Sequence, residues 1–221
     1  MDVLATFGID TDNESLDNAY VRTFEASGTE MSRFDYDSFT QTLKMAGLAS
    51  VGYSFRKADR VGFSAFYARN AVDSYMARQG HDEEGIRLKG SNQNSHVYEL
   101  QNYQLAGHHV LGKWDTDWSG SYSKTSSEEP DRRQVMFRQM SDGTWDLFKL
   151  NAQETMRYFG KLDEDEWVGD VQAQYRFSDE NKLRFGAALR DKTRDFTCTS
   201  FYYNLKEMES LNVTDIYHTD G

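Results

Sequence analysis

Trp167-Val168-Gly169-Asp170-Val171-Gln172-Ala173-Gln174-Tyr175-Arg176-Phe177 alternates from end to end. Its odd positions are apolar or small; its even positions, Val168 apart, are Asp170, Gln172, Gln174 and Arg176. Successive side chains of a β-strand point to opposite faces, so this stretch has one greasy side and one wet side. The segment that follows repeats the pattern, with Leu183, Phe185, Ala187 and Leu189 against Arg184, Arg190, Lys192 and Arg194. Further back, Leu43, Met45, Ala49, Val51, Tyr53 and Phe55 share one face of 41–56, and Val61, Phe63, Ala65 and Tyr67 share one face of the next segment. Strands are predicted near 2–9, 40–56, 60–75, 96–110, 115–126, 164–177 and 182–203. The fold class expected is all-β, an antiparallel up-and-down meander of about six or seven long strands.

The connections sort by length. Those at 57–60, 110–115 and 178–182 are short, whereas 10–38, 70–95 and 126–164 read as long polar loops. Short and long alternate along the chain, which puts every short turn at one end of the sheet. Outer-membrane barrels are built this way, with tight periplasmic turns and long extracellular loops. Tyr53, Phe55, Phe63, Trp118, Tyr175, Phe177 and Phe185 fall near the short-turn ends on the apolar face, and Trp167 shares that face. These are the expected membrane-facing aromatics. On the same reading Asp170, Gln172, Gln174, Arg176, Arg184, Arg190, Lys192 and Arg194 face the lumen.

Composition narrows the alternatives. Aromatics make up 14% of the 221 residues and there is one proline, a balance that favours extended structure. The mean hydropathy of −0.78 comes with no run of about 18 apolar residues, so a spanning helix is excluded. A net charge of −11 argues against nucleic acid as a partner, because phosphates require Lys and Arg. The lone Cys198 excludes an intrachain disulfide. Met1-Asp2-Val3-Leu4-Ala5-Thr6 does not read as a signal peptide.

Pairings follow from the alternation. Placing Trp118 opposite Trp167 also puts Phe137 opposite Phe148, Val135 opposite Leu150, and Ser141 opposite Thr144 across Asp142-Gly143, a two-residue hairpin signal. The loop at 126–164 is thus expected to be a β-ribbon, with Pro130 and the neighbouring acidic residues interrupting its ladder. On the other side, Tyr175 is expected opposite Phe185 and Ala173 opposite Ala187.

Arg60-Val-Gly-Phe-Ser-Ala-Phe-Tyr67, Asn102-Tyr-Gln-Leu-Ala-Gly107, the stretch from Glu164 to Phe177 and the stretch from Leu183 to Phe196 resemble the barrel strands of TonB-dependent outer-membrane receptors. The resemblance is diffuse and runs from about residue 40 to 205. It implies a piece of a barrel of about 22 strands, lying in the bacterial outer membrane, with lipid on its apolar face. It further implies import of a scarce nutrient (a siderophore, haem, cobalamin, a glycan or a peptide) driven by the TonB complex through a plug. Neither the plug domain nor the C-terminal closing strand is read in this sequence, and a partial barrel is expected. Arg132, Arg133, Trp145, Tyr158 and Tyr98 are the candidate ligand contacts, chosen as cationic and aromatic residues of the outer loops. Two other readings stay open at this point: another large outer-membrane barrel, and a soluble β-sandwich adhesin or glycan-binding module.

The residues give no sign of an enzyme or a cofactor. His108 and His109 are adjacent on a strand and point to opposite faces, so they cannot share a metal; no metal site is expected from these or from His81, His96 and His218. Asp10-Thr-Asp-Asn-Glu14 begins like a calcium loop, but Ser15 and Val21 stand where the glycine and the bidentate glutamate are needed. Asn13 and Asn212 head glycosylation triplets that matter only in a eukaryotic secretory protein.

Overall fold

The computed structural model describes residues 1–56, 58–148 and 155–202. These form a single antiparallel sheet of eight strands: β1 (Asp2–Phe24), β2 (Glu30–Ser54), β3 (Arg60–His81), β4 (Arg87–Leu111), β5 (Trp114–Gln139), β6 (Trp145–Leu147), β7 (Met156–Arg176) and β8 (Lys182–Tyr202). The order across the sheet is β1-β2-β3-β4-β5-β7-β8, with the short β6 paired to the end of β5. The all-β meander read from alternation is therefore what the chain forms. Among the described residues β1 and β8 do not pair with each other, and the sheet is open.

The long loops expected at 10–38, 70–95 and 126–164 are for the most part strand. Apolar residues such as Phe34, Leu88 and Met136 are scattered there among polar ones on both faces, so the alternation that marks a half-buried strand fades while the backbone ladder continues. β2 and β3 pair without a break from Arg33–His81 to Ser54–Arg60. Each ribbon ends in the same five-residue turn, at 25–29, 82–86 and 140–144. The first residue's N–H donates to the fifth residue's carbonyl, and the glycine at the fourth position donates back to the first. Gly28, Gly85 and Gly143 sit there at φ 89°, 77° and 85°, a left-handed conformation that a glycine adopts without steric cost. The Asp142-Gly143 tip is thus a three-residue loop with Gln139 opposite Trp145, not a two-residue one with Ser141 opposite Thr144.

Short turns close the other end at 55–59, 112–113 and 177–181, near the positions expected. Asp59 is buried in the first of them, where its Oδ1 accepts the Val110 N–H at 3.0 Å and so ties that turn to β4.

Several expected pairings shift along their ladders. Trp118 faces Val171, Tyr122 takes Trp167, and Phe137 faces Leu147. The ladder does break beside Pro130, between Glu129 and Arg132, so the tip does not fix the register at the base. Leu150 lies outside the described residues. In the last hairpin Ala173 faces Phe185 and Tyr175 faces Leu183, because the turn closes with Phe177 N–H on the Asn181 carbonyl at 3.0 Å. The shifts at Trp118 and in the last hairpin are even-numbered, so each residue keeps its face.

What core there is lies far from the short turns. Leu88, Met136 and Phe148 are buried together, with Phe34 and Ile86 packed against them. Thr155, fully buried, pins this cover to β5: its Oγ1 accepts the Met136 N–H at 3.2 Å and donates to the Phe148 carbonyl at 3.1 Å. Gly90 is required beneath it, since a Cβ there would run into the Met136 side chain.

Candidate ligand-contact cluster and the two faces of the sheet

Register assigns every side chain of the sheet to one of two faces. Val3, Val51, Phe63, Leu105, Gly120, Gly169 and Leu189 form one continuous row. Tyr53, Phe55, Trp118, Trp167, Tyr175, Phe177 and Phe185 lie on that same face, and all of them that sit in strands or turns are substantially exposed apart from Trp118 and Tyr175. Two aromatic rows run across it. The first, at the short-turn end, joins Trp114 to Tyr175 with ring centroids 4.8 Å apart, Tyr175 to Phe177 at 4.7 Å and Trp114 to Phe185 at 6.0 Å. The second is Tyr103–Tyr122–Trp167, in register on three neighbouring strands, with Tyr122 and Trp167 at 4.7 Å. Trp118 belongs to neither row. It lies between them on the Gly107 backbone, where a Cβ would strike the indole.

The apolar band slopes. The row that is Phe7 and Gly47 on β1 and β2 becomes Tyr67 and Gln101, then Lys124 and Asp165 on β5 and β7. Across the sheet the apolar stretch thus drifts toward the short turns.

The opposite face carries the residues expected in the lumen. Arg184 donates to Gln172 Oε1 at 2.6 Å, and Ser119 Oγ donates to Asp170 at 2.6 Å. Higher on β8, Arg190 pairs with Glu166 at 2.6 Å, while Lys192 and Arg194 both hold Glu164. Hydrogen bonds from Lys192 and Arg194 keep the Glu164 carboxyl below the usual range. Gln174 sits opposite Arg184 and Arg176 opposite Lys182 on this same face. A 560 Å³ hollow lies on this side, with Asp10, Lys44, Ala46, Ala68, Leu100 and Thr125 among its walls. It reaches from β1 to β5, so this face is concave there.

Of the five candidate ligand contacts, three meet on the concave side beyond the apolar band. The Tyr98 hydroxyl lies 3.1 Å from His96 Nδ1 and the two rings stack at 3.9 Å. His96 reaches Ser127 Oγ at 2.8 Å and Glu129 at 3.4 Å, and Glu129 reaches Arg132 at 3.6 Å. The Arg132 guanidinium sits 4.6 Å over the Tyr158 ring, and both line a 500 Å³ hollow with Asn92 and Gln134. Such a chain of stacked rings bridged by charge offers both π-faces and hydrogen-bonding groups to a ligand. His96 and Glu129 were missed in the sequence because they are separated by two strands' worth of chain. The break beside Pro130 is what brings Glu129 and Arg132 to one side.

Arg133 and Trp145 lie on the other face. Arg133 and Arg157 both grip Asp131, Arg157 with two hydrogen bonds at 2.8 and 3.0 Å. Burial raises the Asp131 pKa, but those hydrogen bonds outweigh it and hold the carboxyl below its ordinary value. Trp145 supports the Lys89 ammonium 4.4 Å above its ring. Asp10 to Glu14 lie within regular β1, which rules out a wrapped calcium loop there. His218 and Asn212 lie outside the described residues. No protein-family model matches the chain, and no curated protein matches it.

Proposed function

We propose that these strands form part of the wall of a large outer-membrane β-barrel and, by the resemblance of its strands, of a TonB-dependent receptor that imports a scarce nutrient. The observation that carries this reading is the pair of aromatic rows bracketing an apolar band on one face. From Trp167 to Tyr175 is about 26 Å along a strand at ~3.3 Å per residue, or roughly 20 Å of height at the ~40° tilt of barrel strands. That suits an apolar band of about 25 Å with an aromatic girdle at each interface. The slope of the band supports the same reading, because a level membrane crosses tilted strands at progressively shifted positions. A soluble sandwich requires a second sheet packed about 10 Å away, and the described residues supply only one sheet. On this account lipid covers the apolar face and the charged rows of β7 and β8 look inward. The extracellular ligand meets the Tyr98–Arg132–Tyr158 cluster, while TonB acts through a plug.

The test is assembly in outer-membrane lipid. Val171→Arg places a charge mid-band and is expected to weaken the folded state by roughly 2–4 kcal/mol, whereas Gln174→Arg on the other face is expected to change little. Equal tolerance of the two substitutions would contradict the barrel.

A further inference from the structure

We infer that His108, Asp115 and Asp117 form a binding site for one divalent transition-metal ion. The two-residue turn at Gly112-Lys113 sets β4 and β5 so that His108 faces Asp117 directly. Asp115, two residues along β5, points to the same side, and one ligand atom from each residue lies within 4.8 Å of the others. The imidazole Nδ1 is 2.8 Å from Asp117 Oδ1 and 3.5 Å from Asp115 Oδ1. Ligands held 2.0–2.1 Å from a tetrahedral ion stand about 3.3 Å apart, and the two distances from Nδ1 lie on either side of that spacing. An ion bound among them would take the place of the His108–Asp117 hydrogen bond.

Two further features favour a cation here. Asp115 Oδ1 is shielded from solvent and has no hydrogen-bond partner, although the rest of its side chain is partly exposed. The adjoining 420 Å³ hollow on the concave face is lined by Asp117 and Asp170, with Arg60 as the only lysine or arginine among the described residues of its walls. At the site itself Asp115 and Asp117 stand beside His108, with Arg60 opposite it on β3, so carboxylates outnumber the guanidinium there, a balance that attracts a divalent ion. The nitrogen donor selects the ion class: imidazole with carboxylates suits Zn²⁺, Co²⁺ or Ni²⁺, whereas calcium sites use oxygen alone. Three protein ligands leave a fourth position for water or an incoming ligand. His109, one residue on, faces the other way and takes no part.

The experiment is titration of the whole chain with Co²⁺, followed by displacement with Zn²⁺, in detergent or in buffer according to how the chain is soluble. It therefore reports on the site whether or not the transport reading holds. One equivalent of Co²⁺ is expected to bind with visible d–d absorption, and Zn²⁺ to erase it. His108→Ala and, separately, Asp115→Asn are expected to weaken binding at least about tenfold, with strand content by circular dichroism unchanged. Asp115→Asn keeps size and shape, so it stands should His108→Ala disturb the hairpin. Absence of stoichiometric binding, or binding that both variants retain or that only His96→Ala removes, overturns the proposal.

Discussion

Gly143 shows how one residue sets the end of a hairpin more than 20 residues long. Its φ of 85° costs a β-branched side chain roughly 1–2 kcal/mol. Gly143→Val is therefore expected to speed hydrogen exchange at the Met140 amide, which donates to the Thr144 carbonyl, while Gly143→Asn has a smaller effect. The same glycine recurs at the fourth position of the other two distal turns, a signal present in the sequence as Glu-Ala-Ser-Gly-Thr and Asp-Glu-Glu-Gly-Ile. Read alone, Asp142-Gly143 suggests a two-residue turn, and only the ladder on either side shows the third. Asp131 offers a different handle. Its folded pKa lies below the unfolded value, so the Arg133–Asp131–Arg157 grip stabilises the ribbon above about pH 4 and is lost as the pH falls through the lowered value. Protection of the Arg132 and Arg157 amides, taken relative to their intrinsic exchange rates, is expected to hold from pH 7 to 5 and to fall below that range, and Asp131→Asn is expected to show the loss at every pH.

At the scale of the element, the third ribbon is stabilised by packing as well as by its ladder. Phe148→Ala removes the ring that covers Leu88 and Met136, and is expected to cost about 3–5 kcal/mol locally. Limited proteolysis would read this as new cleavage near 147–156 with the short-turn end intact. This cover is not legible in the sequence, because alternation sets Phe148 opposite Phe137, whereas its N–H bonds to the Met136 carbonyl at 2.7 Å. Strands at 43–55, 61–67, 167–177 and 183–189 were legible because only there is one face apolar. Their extensions were not, since apolar residues such as Phe34, Leu88 and Met136 are too scattered among polar ones to leave a sustained period of two in hydropathy. Registers within two or four residues followed from alternation, but turns and the break at Pro130 set the final value. Hence the second aromatic row, Tyr103–Tyr122–Trp167, and the His108–Asp117 pair emerge only from the structure.

For the molecule as a whole, the balance of surface is decisive. Leu189 and Trp167 are 76% and 61% exposed, and the buried apolar residues among those described are confined to the distal cover. An apolar band of this extent left in water favours association, and β1 and β8, unpaired on their outer sides among the described residues, add templates for pairing. The chain expressed alone in buffer is therefore expected to aggregate and to be recovered folded only with detergent or lipid; a soluble monomer would argue for a different partner on that face. The central claim is that alternate residues of β7 face lipid and an aqueous lumen. The most direct measurement is a spin-label scan of positions 163–177 in a Cys198→Ser background, with the protein assembled in outer-membrane lipid. Collision with oxygen is expected to peak at 169, 171 and 173, and collision with a water-soluble nickel chelate at 170, 172 and 174, the alternation fading above 165. Equal access of the chelate to both sets would contradict the account.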